Sequence, residues 1–174
     1  MNTTNCYAYA LDLQKNPLND KNFPVFSDGY CLQPGDLAGD GIEISIFDYI
    51  YGSAAEKIIN NVKKDAEVAG FSFKETTRDT PVTKGNWKVA LVISPYAPDE
   101  GIYRYDYHWY RQNDDGTWSH KPGTTEVTNL DYSDKIIKNP QTSNRDSRKK
   151  FGVGAPNYTQ FINYFEVGRC SNGD

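Results

Sequence analysis

The hydrophobic and polar positions divide this chain into a helical first part and a stranded remainder. Residues 43–69 carry the clearest period. Ile46, Ile50, Ala54, Ile58, Val62, Ala66 and Ala69 recur three or four apart and draw one apolar stripe, which predicts an amphipathic helix. Gly52 interrupts the stripe, so one helix and two helices are both consistent with it, and Gly70 suits the closing cap. Upstream, residues 6–13 (CYAYALDL) read as a short helix that Thr3, Thr4 or Asn5 can cap and that Asn16-Pro17 ends. Residues 16–41 are rich in Asn, Asp, Gly and Pro. A loop of that length in a compact domain is functional or packed on itself.

From Phe71 the period shortens to two. FSFKE (71–75) alternates, and WKVALVIS (87–94) is an almost unbroken apolar run that predicts a central buried strand. YRYDYHWYRQ (103–112) alternates aromatic with polar residues, and TWSHKP (117–122) follows across a turn. EVTNL (126–130) reads as a further short strand, residues 131–160 as loop, and FINYFEV (161–167) as a closing strand. There is no repeat and no linker. Helix, helix, then an antiparallel meander predicts an α+β fold: one globular domain over 1–174 with N-terminal helices packed on an antiparallel sheet.

The turn between the two aromatic strands carries chemical information, because both histidines of the protein, His108 and His120, flank it. A three-residue loop, Asp114-Asp115-Gly116, with glycine in the left-handed conformation, pairs Asn113 with Thr117 and sets His120 opposite Tyr110. Side chains alternate along a strand, so Tyr110 and His108 share a face and both imidazoles point to one side. A loop one residue shorter or longer separates them.

Composition narrows the functional classes. The net charge of −4 argues against nucleic-acid binding, and the one basic run, Arg145 to Lys150, reads as a solvated loop. No apolar stretch approaches the roughly 20 residues that cross a bilayer, and the polar start Met1-Asn2-Thr3-Thr4 shows no leader. Of three cysteines at least one lies outside any intrachain bridge. Pairing Cys31 with Cys170 would imply an oxidising compartment and a location outside the cell, whereas three reduced thiols would imply none. No cysteine–histidine spacing fits zinc, and Asp12, Asp20, Asp28, Asp36 and Asp40 do not have the spacing of a calcium-binding loop. No cofactor or metal is expected.

Cys6 stands at the first turn of the first helix, where the partial positive charge of the helix favours a thiolate. With His108 as base and His120, Asn129 or Asp131 holding its second nitrogen, the set satisfies the requirements of nucleophilic catalysis. Asn5-Cys6-Tyr7-Ala8, the segment YHWYRQNDDGTWSHKPG (107–123) and QPGDLAG (33–39) together resemble the papain-like cysteine peptidases of the NlpC type. That resemblance implies Cys6 as nucleophile, His108 as base and His120 as orienting residue. It also implies hydrolysis of an amide or peptide bond in a peptide, protein or cell-wall peptide. The Pro-Gly-Asp motif departs from the family in lying far upstream of the histidine. A second segment, 106–131, resembles uncharacterised bacterial proteins and mollusc shell-matrix proteins, a likeness that brings no activity.

The competing reading is a non-catalytic module that binds carbohydrate or protein in a matrix. In it Cys6 is a core residue, the histidines are structural, and Asp106 lies at the surface. Tyr103, Tyr105, Tyr107 and Trp109 then alternate on the face opposite His108, either as core or as a stacking platform, and Trp118 is a further groove candidate. A monomer is expected in either case.

Overall fold

A computed structural model describes residues 4–13, 31–123 and 125–169. Its centre is an antiparallel sheet of β1 (Phe71–Thr76), β2 (Trp87–Ser94), β3 (Asp106–Gln112), β4 (Trp118–His120) and β5 (Gln160–Arg169), in the order β1-β5-β2-β3-β4. The class is α+β, as expected, but the sheet is not a meander. The closing strand inserts between β1 and β2. The reason lies in β2, which is buried from Lys88 to Ser94 and so needs a partner along each edge. β3 takes one edge and β5 the other, with a register shift at Leu91/Val92.

One face of the sheet carries the helices α1 (Cys6–Ala10), α2 (Ile46–Tyr51) and α3 (Ala54–Ala69). Gly52, at φ 85°, separates α2 from α3. The apolar stripe therefore runs true only in α3, where Ala54, Ile58, Val62, Ala66 and Ala69 are buried, while Ile50 is exposed. They pack with Tyr7, Leu91, Trp109 and Phe165 into a first core. The short α1 ends at Ala10 rather than Leu13. Asn5 caps it by accepting from the Ala8 N–H at 3.0 Å, and Trp87 Nε1–H donates to the Ala10 carbonyl at 2.8 Å. These bonds replace the intrahelical partners that a five-residue helix lacks.

The opposite face is covered by irregular chain. Ala90, Val92, Tyr110, Trp118, Tyr132, Ile137, Tyr158 and Tyr164 form a second core there. Trp118 is part of this core and does not line a groove. The segment 126–130 forms no strand and contributes two isolated bridges, Thr128 to His120 and Leu130 to Ile136. Within the basic run, Arg148–Phe151 form a helical turn, α4. Cys170 lies outside the described residues, and with it the Cys31–Cys170 pairing. So does most of the 16–41 loop, up to residue 30. No helix among the described residues is long and apolar enough to cross a membrane.

Candidate functional site

The part of the long loop that is described, 31–44, is held against α3 by two polar side chains set four residues apart. The Asp65 carboxylate accepts from the Gly35 N–H at 2.7 Å, the Ala38 N–H at 3.0 Å and the Tyr7 hydroxyl at 2.6 Å. The Asn61 amide accepts from the Ile42 N–H and donates to the carbonyls of Pro34 and Ile42. Gly35, at φ 100°, lies so close to Gly41 that a Cβ on it would stand 2.6 Å from the Gly41 Cα, so the QPGDLAG turn closes only with glycine there. In this fold the Pro-Gly-Asp segment is the wall of a cleft. Asn61 and Asp65 left one trace in the sequence, two polar residues at buried spacing beside Ile58, Val62 and Ala66.

The cleft measures about 730 Å³ and lies between this wall, Tyr49 of α2 and the chain entering β3. Tyr49 is buried and packs on Tyr105 with ring centroids 4.9 Å apart, and Tyr96 meets the edge of Tyr105. Tyr105 is 39% exposed and Tyr103 62%. The aromatic series thus divides. Trp109 is core, against Tyr7, Phe73 and Phe165, and Tyr107 packs beside it while its hydroxyl donates to Gln33 Oε1. Tyr103 and Tyr105 precede the strand and present ring surface to the cleft. Asp106, expected at the surface, is half-buried in the lining of the cleft and accepts from the Tyr158 hydroxyl at 2.9 Å. Burial raises its carboxyl above the ordinary value, against the neighbouring positive charge of Arg104. A second, smaller cleft of about 400 Å³ shares Arg104 and Asp106 with the first.

The hairpin closes as its turn chemistry predicts. Gly116 is at φ 82°, the Asn113 N–H donates to Thr117 O at 2.8 Å, and Tyr110 pairs with His120. His108 Nε2 and His120 Nδ1 stand 2.8 Å apart, and His120 Nε2 lies 3.0 Å from the Leu130 carbonyl. A carbonyl only accepts, so His120 carries its proton on Nε2, its Nδ1 accepts, and His108 Nε2 donates. Tyr110 stacks on His120, while Tyr158 and Tyr132 pack against the pair. Burial holds both imidazoles neutral, His108 well below 6.5 and His120 at about 4.

Cys6 sits elsewhere. It belongs to the first core on the helical side of the sheet, beside the backbone of Trp109, while the imidazoles project with Tyr110 from the other side. Burial and the charge of Asp106 push its thiol up to about 12, the reverse of what a nucleophile requires. Among the described residues no hydrogen bond joins the thiol to either imidazole. Asn129 is exposed and gives its carbonyl to the Ile137 N–H, so of the candidates His120 and Asn129 it is His120 that meets a ring nitrogen of His108.

The chain is 25% identical over 164 residues to insoluble matrix shell protein 1 of Ruditapes philippinarum, an alignment covering 94% of this chain and 79% of that protein. No family model and no solved structure matches it. This corrects the hydrolase and cysteine-peptidase reading. The named similarity is to an insoluble matrix shell protein, and no family match supports the NlpC-type resemblance.

Proposed function

We propose that this protein is a non-catalytic extracellular matrix module that binds a saccharide chain in the Tyr49–Tyr103–Tyr105 cleft. The observation that carries the proposal is the similarity to a shell matrix protein along nearly the whole chain. The cleft supplies the chemistry. Exposed tyrosine rings stack on the C–H faces of sugars, and their hydroxyls, with the backbone of the glycine-rich wall, bond sugar hydroxyls. The wall is rigid because α3 holds it, so little ordering cost falls on binding. The histidine pair and Cys6 are structural in this reading.

Retardation in native gels containing soluble β-linked polysaccharides, with co-sedimentation on insoluble ones, tests the proposal. Retardation is expected for the wild type. The double variant Tyr103→Ala/Tyr105→Ala should weaken it about thirtyfold, from about 1 kcal/mol for each lost stacking contact. Unchanged retardation of the variant would remove the cleft from the binding site. Absence of any polysaccharide binding, with capture of a matrix protein instead, would favour a protein-binding module.

A further inference from the structure

We propose that the cleft selects a saccharide that carries free amines over its neutral or N-acetylated counterpart, with Asp106 as the residue that receives the ammonium. This rests on the saccharide reading above and adds the charge of the ligand. Three carboxylates, Asp36, Glu43 and Asp106, line the cleft against one guanidinium, that of Arg104.

Asp106 differs from the other two in its position. It lines both clefts at the start of β3, and among the described residues its oxygens are engaged only by neutral donors. Oδ2 accepts from the Tyr158 hydroxyl and Oδ1 from the Tyr107 N–H, each at 2.9 Å. Among the described residues no lysine or arginine nitrogen stands within ion-pair distance of it. A carboxylate partly removed from water and bonded only by neutral groups is incompletely compensated. A neutral sugar entering the cleft would strip further water from it without replacing that water by a charge. An ammonium would supply the charge and up to three N–H donors.

The surrounding rings add to the same preference. Tyr49 and Tyr105 are packed together beside Asp106, and Tyr103 is largely open, so a cation there faces aromatic surface as well as the carboxylate. The titratable groups that interact with Asp106 are the Tyr158, Tyr49, Tyr107 and Tyr132 hydroxyls, the Cys6 thiol and the Arg104 guanidinium. Arg104 is the one positive charge among them. It is exposed and free to turn to solvent when a second cation enters.

Calorimetric titration with a β-1,4-linked glucosamine oligomer and with its fully N-acetylated counterpart of equal length tests the proposal. The amine form is expected to bind about tenfold tighter at low salt, with the ratio falling toward one at high salt. In Asp106→Asn, which keeps an acceptor for Tyr158, the ratio is expected to approach one at low salt as well. Equal affinity of the wild type for the two oligomers would overturn the amine preference and leave the saccharide reading standing. Binding of neither would overturn both. A preference that survives unchanged in a folded Asp106→Asn would overturn the assignment to Asp106. The salt series on the wild type needs no variant, and a preference insensitive to salt would overturn it too.

Discussion

At the scale of single residues, the buried imidazole pair makes the fold sensitive to acid. Protonating His120 on Nδ1 would set an N–H against the N–H of His108 in a site with almost no water. Desolvation opposes that protonation most, the Lys150 charge adds to it, and together they outweigh the Leu130 carbonyl and Asp131, which favour it. The folded value of about 4 lies below the ordinary 6.5, so the unfolded chain takes up the proton first as pH falls. The stabilisation is complete above pH 6.5 and is lost as pH falls toward 4, with His120 contributing on the order of 3 kcal/mol across that window. A thermal midpoint flat above pH 6.5 and falling steadily below it is the expected result, and His120→Gln, which does not titrate, should show a shallower fall. A midpoint independent of pH over the same range would contradict the neutral assignment. That these two residues share a face was legible from Asp114-Asp115-Gly116 alone, because local turn chemistry sets the register. That Cys6 stands on the other side of the strand was not, because only the docking of α1 decides it.

At the scale of elements, the loop–helix contact between 31–44 and α3 shapes the candidate site. Asp65→Ala leaves the hydroxyl of Tyr7 and the N–H groups of Gly35 and Ala38 without their acceptor, at about 1 kcal/mol or more each. A loss of about 3 kcal/mol in urea unfolding is expected, together with faster hydrogen exchange at Gly35 and Ala38. Asp65→Asn, which keeps one acceptor oxygen, should fall between variant and wild type. Exchange at Gly35 and Ala38 as slow as in the wild type would show that the wall stands without α3. The apolar stripe of α3 and the break at Gly52 could be read from spacing, since both are properties of a helix and its immediate sequence. The cleft could not. Its lining comes from residues 33–44, from Tyr49 and from 103–107, and no periodicity links three separate segments.

At the scale of the whole molecule, one sheet separates two unlike cores, one under helices and one under irregular chain. β2 contributes to both, with Val89, Leu91 and Ile93 on the helical side and Ala90 and Val92 on the other. Neither core can dissolve while the other keeps β2 in place, so a single cooperative transition is expected. Each core contains one fully buried tryptophan, Trp109 in the first and Trp118 in the second. Trp87→Phe/Trp118→Phe leaves the first probe, and Trp87→Phe/Trp109→Phe leaves the second. In each variant the fluorescence midpoint should coincide with the midpoint from far-ultraviolet circular dichroism. A Trp118 signal that changes well before the backbone signal would show the irregular cover opening on its own. The insertion of β5 between β1 and β2 belongs to this scale too. Residues 161–167 read correctly as a strand, yet their place in the order follows from the unpaired edge of β2, about seventy residues away along the chain.

The three-residue turn at Asp114–Gly116 has a consequence that concerns variation. What matters there is whether the number of residues is odd or even, far more than which residues they are. Adding or removing one would rotate everything after it by half a turn of the pleat. An insertion would stand Ser119, and a deletion Lys121, where His120 meets Tyr110, and the imidazole would turn toward the side from which Ser119 now holds the hydroxyl of Tyr9 at 2.7 Å. A change of two would restore the original parity. Length variation at this tip is therefore expected to be tolerated in pairs, and a single insertion should be more damaging than a double one.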